Sequence, residues 1–381
     1  MSIAINVRFL LPGKLEGLGW YTHEIVRRMV LNHPEQTFYF LFDRPYDPAF
    51  IYADNVRPIV LFPPARHPFL WYWWFEFSVP AALKRCGAEV FFSPDSYCSL
   101  RSPVPTVMTV HDLAPLHPAA TEKKRGLPQL TRKYYEHFLP KFIERAEAIP
   151  VVSEFVRQDV LNTCHTPPDK VHTVYNGARD NFRPFSEAEQ AAIREKYSNG
   201  QPYFFYNGAI HPRKNIARLI EAFNRFKQQS DAPLKLLLAG RLAWNTEAVT
   251  EAAAQSPFRD DIHLLGYVPE AELPGLLGAA LALTYVSFSE GFGLPLVEAM
   301  QSDVPVIAAN TTALPEVAGD AALLVNPHSE DEIAAAMHRV WQDEALRRDL
   351  IARGRTRRQA FSWDLAAEQI YQLLLQNARQ K

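Results

Sequence analysis

The chain has 381 residues, 48% of them apolar and 22% charged, with a formal net charge of −2. That length suits two domains, each with its own core, and the near-neutral charge argues against a nucleic-acid binder, which carries a marked basic excess. Cys86, Cys98 and Cys164 are irregularly spaced and form no C-x-x-C pair, so neither a disulfide framework nor a zinc cluster is indicated and a reducing compartment is expected.

The N-terminus, Ser-Ile-Ala-Ile-Asn-Val-Arg, starts as a strand without a basic n-region, so no signal peptide is read and a cytoplasmic location is expected. Short apolar runs then recur between helix-length stretches: Ile3 to Leu11, Phe38 to Phe42, Ile59 to Phe62, Val90 to Ser93, Thr106 to Val110, Ala148 to Val152 and His172 to Tyr175. Nearly continuous apolar strands of this kind belong to parallel sheets covered on both faces. The pattern restarts at Tyr203 to Asn207, Leu234 to Ala239, Ile262 to Leu265, Ala282 to Val286, Val306 to Ala308 and Ala322 to Val325. Two doubly wound α/β domains in tandem are therefore predicted, joined where Asn176-Gly177 and Arg183-Pro184 give turn signals. The expected limits are 1–180 for the first domain and 181–362 for the second. The longest uncharged run, Leu273 to Ser289, is interrupted by Pro274, Gly275 and Gly278 and falls short of the roughly 20 apolar residues of a spanning helix.

The segment Ser289 to Met300, Ser-Glu-Gly-Phe-Gly-Leu-Pro-Leu-Val-Glu-Ala-Met, carries the most information. Gly291 and Gly293 allow a tight turn and close backbone approach, and Pro295 suits a first helical turn. The N–H groups of such a turn, with the helix dipole, favour an anion such as a diphosphate. Glu290 and Glu298 would repel that anion, so they are expected to accept hydrogen bonds from hydroxyls on either side of it. A diphosphate between two polyols is a nucleotide sugar. Tyr206 to Asn215 follows a strand and precedes a helix, and there Gly208 opens a turn that places Arg213 and Lys214 as cations for the same diphosphate. In the first half, Gly17-Leu18-Gly19 lies between a first strand and a first helix. It can present backbone N–H groups to phosphate or serve only as a tight turn, and it departs from the G-x-G-x-x-G fingerprint. His111-Asp112 ends a strand, where His111 can donate, carry a proton or ligate, or where the pair simply orders a loop.

Together, Glu290-x7-Glu298, Arg213-Lys214-Asn215, Val151-Val152-Ser153-Glu154-Phe155, Val174-Tyr175-Asn176-Gly177 and Phe361-Ser362-Trp363 resemble the retaining, nucleotide-sugar-dependent glycosyltransferases of the GT-B fold, group 1 or family 4, over essentially the whole chain. The resemblance implies two Rossmann-like domains facing across a cleft, with a last helix from Trp363 crossing back to the first domain and 363–381 belonging there. It implies that Glu290 contacts donor-sugar hydroxyls and Glu298 the ribose. Arg213 and Lys214 would neutralise the leaving diphosphate, aided by backbone N–H groups of Gly291, Phe292, Gly293 and Leu294 and of Gly17 to Gly19. His111 would touch the transferred sugar, and Arg241 with Val268 would wall the base pocket.

No cofactor or metal is implied beyond the nucleoside-diphosphate sugar as co-substrate, GDP-mannose or a UDP-sugar. His111-Asp112-Leu113-Ala114-Pro115 is reminiscent of bacterial polysaccharide mannosyltransferases and puts mannose first. The expected acceptor is a glycan or lipid-linked chain in polysaccharide or lipopolysaccharide biosynthesis. An epimerase or phosphorylase of the same fold, or a non-catalytic sugar-nucleotide binder, are the alternatives. Phe69 to Phe75 reads as a core-packing helix, with insertion at a membrane interface as its alternative. A basic patch, Lys123-Lys124-Arg125 with Arg132-Lys133, reads as a solvated face, with anionic lipid as the alternative. Peripheral contact with the inner face of the membrane therefore stays open.

Overall fold

The computed structural model describes residues 1–13, 15–117 and 127–379. The chain forms two compact units, Met1–Asn176 with Ser362–Lys381, and Gly177–Phe361. In the first, β1 (Ser2–Asn6), β2 (Thr37–Phe42), β3 (Val56–Val60), β4 (Val90–Ser93) and β5 (Thr106–Met108) make a parallel sheet in the order β3-β2-β1-β4-β5. A parallel pair, β6 (Ile149–Val151) and β7 (Val171–Thr173), continues that edge through bridges from Val107 to Ala148 and from Val110 to Val151. In the second, β8 (Tyr203–Asn207), β9 (Lys235–Ala239), β10 (Ile262–Gly266), β11 (Ala282–Tyr285), β12 (Val306–Ala309) and β13 (Ala322–Val325) run parallel in the order β10-β9-β8-β11-β12-β13. Every residue of β4, β11 and β12 is buried, as expected of central strands with helices on both faces.

Helices α1 (Gly17–Asn32), α2 (Pro68–Trp73), α3 (Val79–Cys86) and α4 (Leu127–Arg145) belong to the first unit. The last helix, Trp363–Asn377, does so too: Ser362 caps it at Leu365 N, and it lies on α1. Arg28 Nε donates to Asp364 Oδ1 at 2.8 Å, and the His33 ring stacks on Tyr371 at 3.5 Å. No helix among the described residues is long and apolar enough to cross a membrane.

Three expectations need correction. The first strand stops at Asn6 rather than Leu11, because the chain turns there and Leu10 N bonds back to Val7 O at 3.0 Å. Gly17 to Gly19 form the first turn of α1 instead of a loop before it. The aromatic run is only half core: α2 ends at Trp73, a wide π turn spans Trp74–Ser78, and Trp74 and Phe75 are buried while Phe69 and Trp73 are 71% and 55% exposed. A helix can bury only one face, and here seven successive residues include six aromatics. The predicted basic patch at Lys123 to Arg125 lies outside the described residues.

Candidate functional site

In the second unit the sheet grows from β8 through β9 to β10 on one side and from β11 through β12 to β13 on the other. The chain therefore changes direction between β8 and β11, and ligands of open α/β sheets bind at the carboxyl ends of strands at such a point. The loops after those two strands are tied together. Phe288 N donates to Arg213 O at 2.9 Å, and Asn215, held at φ 62, donates from Nδ2 to Val286 O at 3.0 Å and Pro327 O at 2.7 Å. At the neighbouring end of β9, a Cβ on Gly240 would stand 1.8 Å from Gly208 O, so only glycine allows these strand ends to approach.

This frame brings together two residues that lie far apart in sequence. Lys214 Nζ donates to Glu290 Oε1 at 2.5 Å and to the Tyr285 hydroxyl at 2.9 Å. Both charged side chains are nearly buried, 11% and 9% exposed. Burial alone would push the Glu290 carboxyl up, but the charges of Lys214 and Arg213, with the hydrogen bond from Lys214, outweigh it and hold it below the ordinary value. Tyr285 is pushed well up by burial and then by the Glu290 charge, so its hydroxyl keeps its proton. Below the pair, Tyr285 and Tyr206 stack at 5.7 Å. Burial and the charges of Lys214 and Arg213 also push His211 down, to about 4.

Beyond Glu290 the backbone reaches Gly293 at φ 105, and the helix Leu294–Gln301 begins. The first N–H groups of an α-helix have no acceptor within it and point out of its start. Glu298 is buried on the second turn of that helix, where Arg179 reaches its Oε1 through Nε and Nη2, each at 2.8 Å. Arg179 Nη1 also reaches Glu270 Oε1 at 2.7 Å. Arg241 and Val268 follow β9 and β10 on the same edge of the sheet, where Ile210 N bonds to Arg241 O at 2.9 Å.

In the first unit the equivalent change of direction falls between β1 and β4. A buried pair fills it: Arg8 Nε to Asp95 Oδ2 at 2.8 Å, with Asn6 Nδ2 donating to Ser93 Oγ and Asp95 Oδ2. His111, just after β5, lies 2.8 Å through Nε2 from Pro94 O. A carbonyl can only accept, so Nε2 carries the hydrogen and Nδ1 the lone pair. Burial lowers the His111 pKa against the opposing effect of Pro94, Asp112 and Asp95, which favours this neutral form. Tyr21 meets its ring edge-on at 4.5 Å. Gly19 has a packing reason of its own, since a Cβ there would come within 2.8 Å of Phe9 O.

Residues 189–357 match the family described as glycosyl transferases group 1, and residues 15–182 match glycosyltransferase family 4. The chain belongs to these glycosyltransferases. It is 35% identical to O-antigen chain mannosyltransferase B of Escherichia coli over 233 residues, 61% of either chain, and 29% identical to the serotype-specific mannosyltransferase WbdA of Escherichia coli over 68% of this chain and 32% of that one. The match thus spans less than two thirds of either relative. In three dimensions it superposes on sucrose-phosphate synthase from Thermosynechococcus elongatus with a TM-score of 0.79 and 22% identity, covering 98% of both chains, and the fold is GT-B.

Among these group 1 sequence features, the structure gathers Arg213, Lys214, Glu290, Gly291, Phe292, Gly293, Leu294 and Glu298 at neighbouring strand and helix ends of one unit, with Gly208, Arg241 and Val268 along the same sheet edge. His111, Gly17 and Gly19 belong to the other unit. Tyr285 and Arg179 were missed. Tyr285 is the last residue of β11, a strand-end signal that the sequence did offer, whereas nothing near Arg179 announces a partner 119 residues away.

Proposed function

We propose that the chain is a retaining glycosyltransferase that moves a hexose, with mannose as the first candidate, from a nucleoside-diphosphate sugar to a glycan or lipid-linked acceptor in polysaccharide or lipopolysaccharide biosynthesis. One observation carries the reading: a buried Lys214–Glu290 pair and the start of the helix Leu294–Gln301 converge on the β8/β11 change of direction. Cations and helix N–H groups suit a diphosphate, and an ionised carboxylate beside them suits sugar hydroxyls. The mannosyltransferase relatives favour GDP-mannose as donor.

In this reading the bond between the anomeric carbon and the diphosphate oxygen breaks, and the diphosphate keeps the electron pair. The acceptor hydroxyl bonds to that carbon from the same face, and its proton passes to a leaving phosphate oxygen. Lys214, Arg213 and the N–H groups from Gly291 to Leu294 stabilise the charge that develops on the diphosphate, which is where fixed dipoles have most effect. Glu290 holds hydroxyls of the sugar, and Glu298, oriented by Arg179, holds those of the ribose. Arg241 and Val268 border the base. His111, with Nδ1 as an acceptor, takes a hydrogen bond from the transferred sugar, and Gly17 and Gly19 offer N–H groups to phosphate. The enzyme works at the inner face of the membrane, where a lipid-linked acceptor lies.

The test begins with melting in the presence of nucleotide sugars. A donor at about 100 times its dissociation constant stabilises by roughly 2.7 kcal/mol. That donor is then incubated with and without lipid-linked glycan, and the anomeric configuration of the product is read by NMR. An α-linked product from an α-donor is expected only with acceptor. An altered nucleotide sugar formed without acceptor, or full turnover in Glu290→Gln, refutes the proposal.

A further inference from the structure

The aromatic run that sequence patterning assigns to the core leaves a stripe of large apolar side chains in solvent. Phe69, Trp73 and Phe77 recur at steps of four and are 71%, 55% and 41% exposed, and Phe62 beside them is 82% exposed. The Ser78 hydroxyl donates to Phe62 O at 2.6 Å, which holds the Phe62 loop against the stripe. Trp73 and Phe77 touch at 5.0 Å and Tyr72 joins Phe77 at 6.2 Å, so these three rings form one cluster, with Phe69 four residues before Trp73 on the same helix. Underneath, Trp74, Phe75, Val79 and Leu83 are fully packed, which fixes which face looks outward. A contiguous exposed patch of this kind marks a surface that meets something.

The charges around it define the partner. Between Leu61 and Ala88 the charged residues are Arg66, Glu76, Lys84 and Arg85, and the three cations are exposed while Glu76 is buried. Glu76 Oε1 accepts Leu100 N at 2.9 Å, so its charge is spent inside. The Arg101 guanidinium, 57% exposed, lies 4.8 Å from the Phe77 ring and 3.9 Å from Glu76 Oε2, so it answers that buried carboxylate and adds no net charge to the rim. Lys141 sits over Phe138, whose ring meets Tyr72. On α4, Arg132 and Glu136 pair and cancel. Exposed Trp, Tyr and Phe with a cationic rim match the boundary between acyl chains and anionic headgroups.

We propose that this face, built from the Phe62 loop, α2, the π turn and α3, docks the protein on an anionic lipid bilayer, with Phe62, Phe69, Trp73 and Phe77 entering the headgroup region and Arg66, Lys84 and Arg85 meeting lipid phosphates. It deepens the membrane placement proposed above, and its test reads binding without turnover, so the two readings fail separately.

The full chain is sedimented with vesicles of equal parts phosphatidylglycerol and phosphatidylethanolamine, and with vesicles of phosphatidylcholine. Partition onto the anionic vesicles is expected to exceed that onto phosphatidylcholine by at least about tenfold and to fall as salt is raised. Phe69→Glu with Trp73→Glu is expected to reduce it to the phosphatidylcholine level, as is the milder pair Phe62→Ser with Trp73→Ser. Circular dichroism and melting identify which pair keeps the fold, and these side chains are in solvent already. Equal partition of wild type and folded variants overturns the proposal, as does wild type left in the supernatant. Ring-dependent dimers in sedimentation velocity, without vesicle binding, overturn it in favour of a second copy.

Discussion

Replacing Lys214 by Ala leaves the Glu290 carboxylate without its closest cation in a site where its side chain is only 9% exposed. The ion pair is at 2.5 Å, and the Tyr285 hydroxyl shares the same ammonium. Removing one member of a buried pair costs about 3 to 5 kcal/mol, because the remaining charge keeps its desolvation penalty and loses its compensation. For a unit the size of Gly177–Phe361 that amounts to about 10 °C in melting temperature. Calorimetry on wild type, Lys214→Ala, Glu290→Gln and the double variant Lys214→Met/Glu290→Gln measures it. Lys214→Ala is expected to be the least stable. The double variant should recover to within about 1.5 kcal/mol of wild type, since a neutral pair of similar volume has no charge to compensate. All three should lose transfer activity, which separates the stability of the site from its chemistry. If Lys214→Ala melts with wild type, or the double variant is no better than the single, the pair is not coupled and the reasoning fails.

Arg179→Ala should weaken nucleotide binding more than it slows turnover, by about tenfold, since it frees Glu298 from a charge-assisted pair; titration calorimetry with the nucleoside diphosphate checks this, and Arg179→Lys should recover part of the loss. Gly240→Ala should leave little folded protein, because its Cβ would stand 1.8 Å from Gly208 O at a φ of 148, and soluble yield with circular dichroism decides it. Acid should destabilise the second unit in two steps. His211 has a folded pKa lowered from 6.5 to about 4, so between those values the unfolded chain takes up a proton that the folded one refuses, and stability present above 6.5 is lost as pH falls. Glu290, also lowered from its ordinary 4.5, loses its contribution only below that value. Denaturation midpoints from neutral pH downwards should show the first step in wild type and a smaller one in His211→Asn.

Among the described residues each of the thirteen strands overlaps an apolar run of the sequence, because a strand covered on both faces must be apolar along its length; the edge strand β3 is the loosest fit, starting at Val56 with Arg57 exposed where the run begins only at Ile59. Strand ends were less legible: β1 stops at Asn6, although the run continues to Leu11, because the chain turns there while Val7 and Leu10 still bury. The glycines at 208 and 293 could be read as sites of tight turning or close approach. Which backbone approaches Gly240, the carbonyl of Gly208, is a matter of two strands meeting in space.

The sequence by itself determined the two parallel α/β units, the glycine-rich helix start after β11 and the residue types assembled there. Only the tertiary structure decided that Lys214 neutralises Glu290, that Arg179 takes Glu298, and that His111 donates through Nε2. It also decided which rings of the 69–75 run face outward. The physical reason is common to all four. Apolar periodicity is local and survives in the sequence, whereas a charge finds its partner, and a ring its neighbour, through strand order, which brings the ends of β8 and β11 together across the 74 residues between them (208–281) or leaves one helix face with nothing to cover it.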